Sequence, residues 1–195
     1  MTRSARPLSK MVLSLVAMLA VFSGAYADVQ SGPAKDAKPP ELRVVAVTGV
    51  IEDKELDYTA HRGDKPTVYV FVKSKEGRIP EAGRPAGRFL KELDKAVKDL
   101  GGDAYVVAVW LTDTAEETRQ YLPLVQTSLQ FAATALTYFP GDKTGPKDWG
   151  INDDANVTVV IAAKGKVVES FGYLSINETD VPKIVEIVKK TIEGS

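Results

Sequence analysis

The chain is 195 residues long, contains no cysteine, and carries 25 basic and 26 acidic residues for a net charge of −1. Thiol–disulfide exchange and thiol peroxidase chemistry both run through a thiolate, so both are excluded. A near-neutral chain without a dense basic stripe is also ill-suited to nucleic acid.

Arg3, Arg6 and Lys10 precede an apolar run at 11–22, and Ala25-Tyr26-Ala27 forms an A-x-A cleavage signature. These are the three parts of a secretory signal peptide. The run falls short of the roughly 20 apolar residues of a spanning helix. Residues 1–27 are therefore expected to be removed, leaving no stable membrane span and an exported protein, periplasmic or extracellular. Three basic and no acidic residues leave with them, so the mature chain of 168 residues starts at Asp28 with a net charge of −4. Residues 28–40, rich in Pro, Lys, Ala and Asp, read as a flexible linker. Residues 41–195 read as one domain.

A β-rich run at 42–51 and a return strand at 55–60 predict an N-terminal hairpin. The run 67–72, Thr-Val-Tyr-Val-Phe-Val, predicts a strand buried on both faces. A Gly-, Pro- and Arg-rich loop follows, from Lys73 to about Pro85. Phe89, Leu90, Leu93, Ala96, Val97 and Leu100 then form one apolar stripe of a helix over 86–100, stopped by Gly101-Gly102. A second buried strand occupies 104–111. The next helix starts under a Thr112 or Asp113 cap and runs to about Phe131, with a kink expected at Pro123. Residues 136–139 read as a short edge strand and 142–154 as a loop with one turn near 147–150. Residues 157–162 and 166–171 read as a hairpin across Ala163-Lys164-Gly165. A last helix follows a Thr179 or Asp180 cap, with Ile184, Val185, Ile187, Val188 and Ile192 as its core stripe. Strands joined by helices should be parallel with right-handed crossovers. The fold class is therefore α/β, with a mixed central sheet and helices on both faces.

This order, over about 42–193, resembles the thioredoxin-like fold in its redoxin or peroxiredoxin-type variant, a three-layer sandwich with an N-terminal β-hairpin extension. Trp149-Gly150-Ile151 resembles the step before that family's conserved proline strand. Residues 157–161 followed by Lys164-Gly165-Lys166-Val167-Val168 resemble its penultimate hairpin. The resemblance places the redox cysteines in the loop 73–88, which holds none, and a cis-proline at 157, where this chain has Val157. A non-proline cis bond costs about 2.5–4 kcal/mol, so Val157 is expected to be trans. The resemblance implies the scaffold of a redox protein whose substrate groove is altered and unarmed.

Arg78, Arg84 and Arg88 lie before and at the start of the first long helix, whose spare amides and positive dipole end suit an anion. With Glu76 and Glu81 beside them they also read as a balanced, solvated loop. Trp149, in a polar loop and expected to be partly exposed near the altered groove, is the candidate binding aromatic; Asn156 and Val157 form the far wall. His61 is the only histidine and has no triad context. Asp142, Asp148, Asp153 and Asp154 do not match an EF-hand, and no metal or cofactor is implied. The leading expectation is an exported, redox-inactive domain that binds a protein, a peptide or a small anion in the cell envelope. Its site would be the cleft between the loop 73–88 and the turn at Asn156 and Val157. The alternatives are a non-thiol enzyme using Glu81 or His61 with the arginines, and a structural or assembly component of the envelope.

Overall fold

Strict alternation sorts the central strands. In the computed structural model, which describes Met1 and residues 29–194, Val68, Val70 and Val72 of β3 (Thr67–Lys75) face one core with Val106, Ala108 and Trp110 of β5 (Tyr105–Leu111). Tyr69 and Phe71 face a second core with Val107, Val109 and Leu111. This is the period of two of a pleated strand buried on both sides. The export signal expected at 1–27 and its cleavage step lie outside the described residues, apart from Met1.

β5 pairs parallel with β3, and β7 (Val157–Ala163) pairs antiparallel on the other side. β6 (Thr134–Phe139) lies parallel to β5, followed outward by β1 (Arg43–Thr48) and β2 (Lys54–Asp57) as the N-terminal hairpin. β8 (Lys166–Tyr173) flanks β7, and the two-residue β4 (Ile79–Pro80) folds back on the end of β3. The order is β2-β1-β6-β5-β3-β7-β8 in one mixed sheet.

The crossovers through α2 (Gly83–Leu100) and α3 (Ala115–Leu129) step across the sheet in the same direction, from β3 to β5 to β6. Right-handed connections then place both helices on one face. α4 (Val181–Glu193) joins them there through Ile184 and Val188. The other face is covered by Tyr58 of the short α1 (Tyr58–Arg62) and by a 3-10 turn, Lys147–Trp149.

Three details depart from the sequence reading. β6 is interior, because β1 takes its free side; its buried threonines hide the strand, since Thr134 bonds to Asp94 and Thr137 donates to the Ala108 carbonyl at 3.1 Å. The return strand ends at Asp57, whose carboxylate accepts the Thr59 N–H at 2.9 Å and opens α1. α3 begins at Ala115, and the Thr112 hydroxyl accepts the Thr114 N–H rather than capping the helix itself. The expected cap position holds at α4, whose N-cap is Asp180; just ahead of it, Asn177 and Asp180 close a reciprocal capping box over the turn Glu178–Asp180.

The supposed linker is a strap from Val29 onward. Asp36 donates its N–H to the Val167 carbonyl at 2.8 Å, and Val167 returns one to Ala37. Val29 bridges Gly172. Ser31 is buried, with its hydroxyl 2.6 Å from that of Thr158 and accepting the Asn152 N–H. The strap therefore covers the outer edge of β8, where unpaired backbone would otherwise invite another strand. The small, Pro-rich composition that reads as flexible is what lets the chain lie flat: a side chain at Gly172 would meet the Val29 carbonyl and the Ser31 Cβ.

Asp94 joins α2 to the start of β6. It is buried and accepts the N–H groups of Ala132 and Ala133 and the Thr134 hydroxyl, the last at 2.6 Å. Asp94→Ala leaves these donors unpaired and is expected to lower unfolding free energy by about 3 kcal/mol, read as a lower urea midpoint.

Candidate binding groove

The loop expected at 73–85 is a latched hairpin. β3 runs on to Lys75 and turns through Glu76 and Gly77, both at positive φ, into β4. The Arg78 N–H reaches the Lys75 carbonyl and the Glu81 N–H reaches that of Lys73. At the tip, the Thr118 hydroxyl donates to the Gly77 carbonyl at 2.7 Å, and the Trp110 indole N–H donates to the Arg78 carbonyl at 3.3 Å. Gly77 is required here twice over. Its φ of 69° suits glycine, and a methyl group would run into Thr114.

The opposite wall is spent internally. Val157 is buried, and no peptide bond among the described residues is cis. The Asn156 N–H donates to Tyr173, its carbonyl accepts from Lys73, and its side-chain amide donates to Leu174. What remains between the walls is a pit of about 130 Å³ bordered by Lys73, Glu81, Lys143, Asp153 and Asn156.

Trp149 does not reach this region. It is fully buried on the other face of the sheet, its ring 5.1 Å from Tyr69 and 4.9 Å from Phe71, with the indole N–H bonded to the Glu41 carbonyl at 3.0 Å. The turn ending at Gly150, in the left-handed region, rolls the indole inward from an otherwise polar loop. Its role as an exposed binding aromatic is thereby overturned by packing. His61 stacks edge-on against Tyr58 near the start of β3, whereas Glu81 sits by Lys73. Thr67 to Lys73 spans about 20 Å at ~3.3 Å per residue, so His61 and Glu81 cannot share a reaction centre.

Open space lies on the other side of the hairpin, between α2 and α3. A groove of about 680 Å³ has Trp110 and Leu90 in its lining, Ile79 and Leu124 at its mouth, and Arg84, Arg88 and Lys91 along its rim. Leu124 is 65% exposed and Ile79 59%, and no carboxylate lines the space. Arg84 and Lys91 make no ion pair among the described residues, while Arg88 is held 2.9 Å from Glu178. The Glu178 carboxyl is held below the usual glutamate range by its own backbone N–H and then by Arg88. Of the arginines singled out from sequence, Arg84 and Arg88 belong to this groove, and Arg78 contributes its carbonyl to the latch.

One groove residue escaped the sequence reading. Gly87 sits inside α2 with no heavy atom within 4 Å of where a Cβ would stand, and its φ is not positive. No packing contact demands glycine there, yet glycine costs about 0.5–1 kcal/mol relative to alanine in a helix. The spacing of Gly83 and Gly87, one turn apart and both lining the groove, was the available signal.

No protein-family model matches this sequence, and no curated protein does. Solved structures do match. The fold is thioredoxin-like. A SCO1/SenC family lipoprotein from Bacillus anthracis superposes with a TM-score of 0.60 at 15% identity, over 82% of this chain and 96% of that one. A candidate protein disulfide isomerase from Bacteroides thetaiotaomicron gives 0.60 at 16% identity, over 85% and 95%. Reduced Prx3 from Vibrio vulnificus with hydrogen peroxide gives 0.57 at 15% identity, over 79% and 96%. These likenesses establish a thioredoxin-like domain, here without any cysteine.

Gly77→Ala is expected to destabilise the thioredoxin-like domain by about 1–3 kcal/mol and to red-shift tryptophan emission as Trp110 loses its carbonyl partner. Because the Glu178 carboxyl is depressed, its contribution to stability is full above the usual glutamate pKa and is lost as pH falls through the lower folded value. Side-chain carbon NMR should show Glu178 titrating below the usual glutamate range. Arg88→Ala should move that midpoint up without restoring it fully, since the backbone donor remains.

Proposed function

We propose that this protein is an exported, redox-inactive thioredoxin-like module that binds acidic, apolar-bearing peptide segments of a cell-envelope partner in the groove between α2 and α3. The observation that carries this reading is Gly87. A helix residue that nothing in the fold requires keeps open the wall of an apolar groove whose rim is cationic. Ile79 and Leu124 offer apolar surface, and Arg84 and Lys91 offer unpaired charge. Carboxylates flanking a large apolar side chain complement both. Export is supported by the basic start, apolar run and A-x-A site of residues 1–27. Cleavage before Asp28 would also leave the strap from Val29 whole. Among the described residues no helix is long and apolar enough to cross a membrane.

The test is peptide selection from a random display library on the protein beginning at Asp28. Enriched sequences should pair Asp or Glu with Leu, Phe or Trp, lose affinity with added salt, and lose at least about tenfold on Leu124→Asp. Gly87→Ala should raise thermal stability while weakening the same peptides. Enriched peptides without acidic bias, or indifferent to both substitutions, would overturn the assignment.

A further inference from the structure

The groove between α2 and α3 also constrains the shape of what can lie in it. Along α2, Arg84, Gly87, Arg88 and Lys91 fall at i, i+3, i+4 and i+7, one face of the helix, and all four line the space. Along α3, Tyr121, Leu124, Val125 and Ser128 repeat the same spacing from the other wall. One wall is thus thin backbone flanked by long cationic arms, and the other is mainly apolar. α2 packs closely on α4, whereas no comparable contact joins it to α3 among the described residues. Gly83 and Gly87 stand one turn apart beside this gap. A Cβ at Gly87 would meet nothing within 4 Å, and one at Gly83 only the Pro85 Cδ at 3.8 Å. The distance between two packed helix axes is set by the side chains at their contact, so these glycines admit a further helix close to α2.

Beyond the first turn of α2, the lining offers an extended segment no edge to pair with. The walls are helices, whose interior N–H and C=O groups bond within the helix. The strand at the mouth is only Ile79–Pro80; Pro80 has no N–H, and the neighbouring Arg78 carbonyl is taken by the Trp110 indole. An extended segment would therefore carry unpaired backbone into an apolar groove, at a cost. A helix brings its backbone hydrogen bonds with it. The charges fit the same geometry. Arg84 and Lys91 are seven residues apart, ~10.5 Å along the axis at ~1.5 Å per residue. Carboxylates on an adjacent helix meet both when they too are seven residues apart. On an extended segment the same distance is covered in about three residues. The chain's own apolar run at 11–22 is preceded by Arg3, Arg6 and Lys10 and by no acidic residue, so it would set like charge against this rim. The complementary occupant belongs to a partner.

We infer that the partner segment is an amphipathic helix of about two turns lying along the groove. Its apolar stripe rests on Ile79 and Leu124, and two carboxylates seven residues apart face Arg84 and Lys91. This rests on the peptide-binding reading above and adds to it the bound conformation and the charge spacing. The probes are two peptides of about 14 residues with identical composition: Leu, Ala, Gln and two Glu. One repeats Leu at i, i+3, i+4 and i+7 with its Glu pair seven apart. The other alternates Leu with the remaining residues and sets the pair three apart. The first should bind at least about tenfold tighter and gain helical circular dichroism on binding. A hydrocarbon bridge across its outward face should tighten binding, and a central proline should abolish it. Lys91→Glu should weaken the first peptide, and exchanging one Glu of its pair for Lys, but not the other, should restore affinity. If the alternating peptide binds as tightly or more so, and loses affinity on Leu124→Asp, the helix is overturned and the peptide groove stands. Binding of the first peptide without gain of helix, or unchanged by Lys91→Glu, would likewise overturn this inference alone. Binding of neither peptide would overturn both.

Discussion

The latch of the β3–β4 hairpin decides what the rest of this domain can do. Two carbonyls at its tip, those of Gly77 and Arg78, are held by the Thr118 hydroxyl and the Trp110 indole. Those donors belong to α3 and β5, so the hairpin is fastened to the core rather than left over the start of α2. On its inner side the Glu81 N–H closes onto Lys73, and Lys73 in turn bonds Asn156. The space that the resemblance assigns to thiol chemistry is thereby reduced to a small polar pit, while a larger, drier groove opens on the outer side. Loss of sulfur and closure of the loop are consistent with each other. Without a thiolate, exposure of that backbone has no chemical use, and unpaired amides near a buried strand end would cost stability.

A stability-for-access exchange is visible in α2. Ala86, Phe89, Leu90, Leu93 and Val97 bury the helix against the sheet, and Asp94 ties its middle to β6. With that much anchoring, α2 tolerates Gly87 on its outward side. The groove thus stands on a rigid element, which limits the ordering cost of binding. The arginine nearest the α4 end is less free: Arg88 is committed to Glu178, so Arg84 and Lys91 carry most of the unpaired positive charge presented to a ligand.

Much of the fold was legible because the central strands are so apolar. The runs at 67–72, 104–111 and 157–162 have few other ways to be buried than as the middle of a covered sheet. The stripe of α2 announced its buried face equally plainly. What could not be read was set by contacts distant in sequence. β6 is threonine-rich, and only the partners Asp94 and Ala108 make its hydroxyls compatible with an interior position. The strap at 29–40 has no periodicity because its partners are the edge of β8 and the hydroxyl of Thr158, more than a hundred residues away. For the site, Arg84 and Arg88 were found through their place at the start of a helix. Trp149 misled, because a lone indole in a polar loop gives no sign of which face of the sheet it will enter. Gly87 was passed over, because an apolar stripe registers the side chains that are present and not the one that is missing.

Native-state hydrogen exchange at the Glu81 and Arg78 amides tests the closed hairpin most directly. The account predicts that both are strongly protected and that Glu81 exchanges on the timescale of the β3 interior, because its partner is the Lys73 carbonyl. Exchange of both amides near the rate of an unstructured chain would contradict it. The loop would then be open in solution, and the space beside Asn156, rather than the groove between α2 and α3, would have to be regarded as the accessible site.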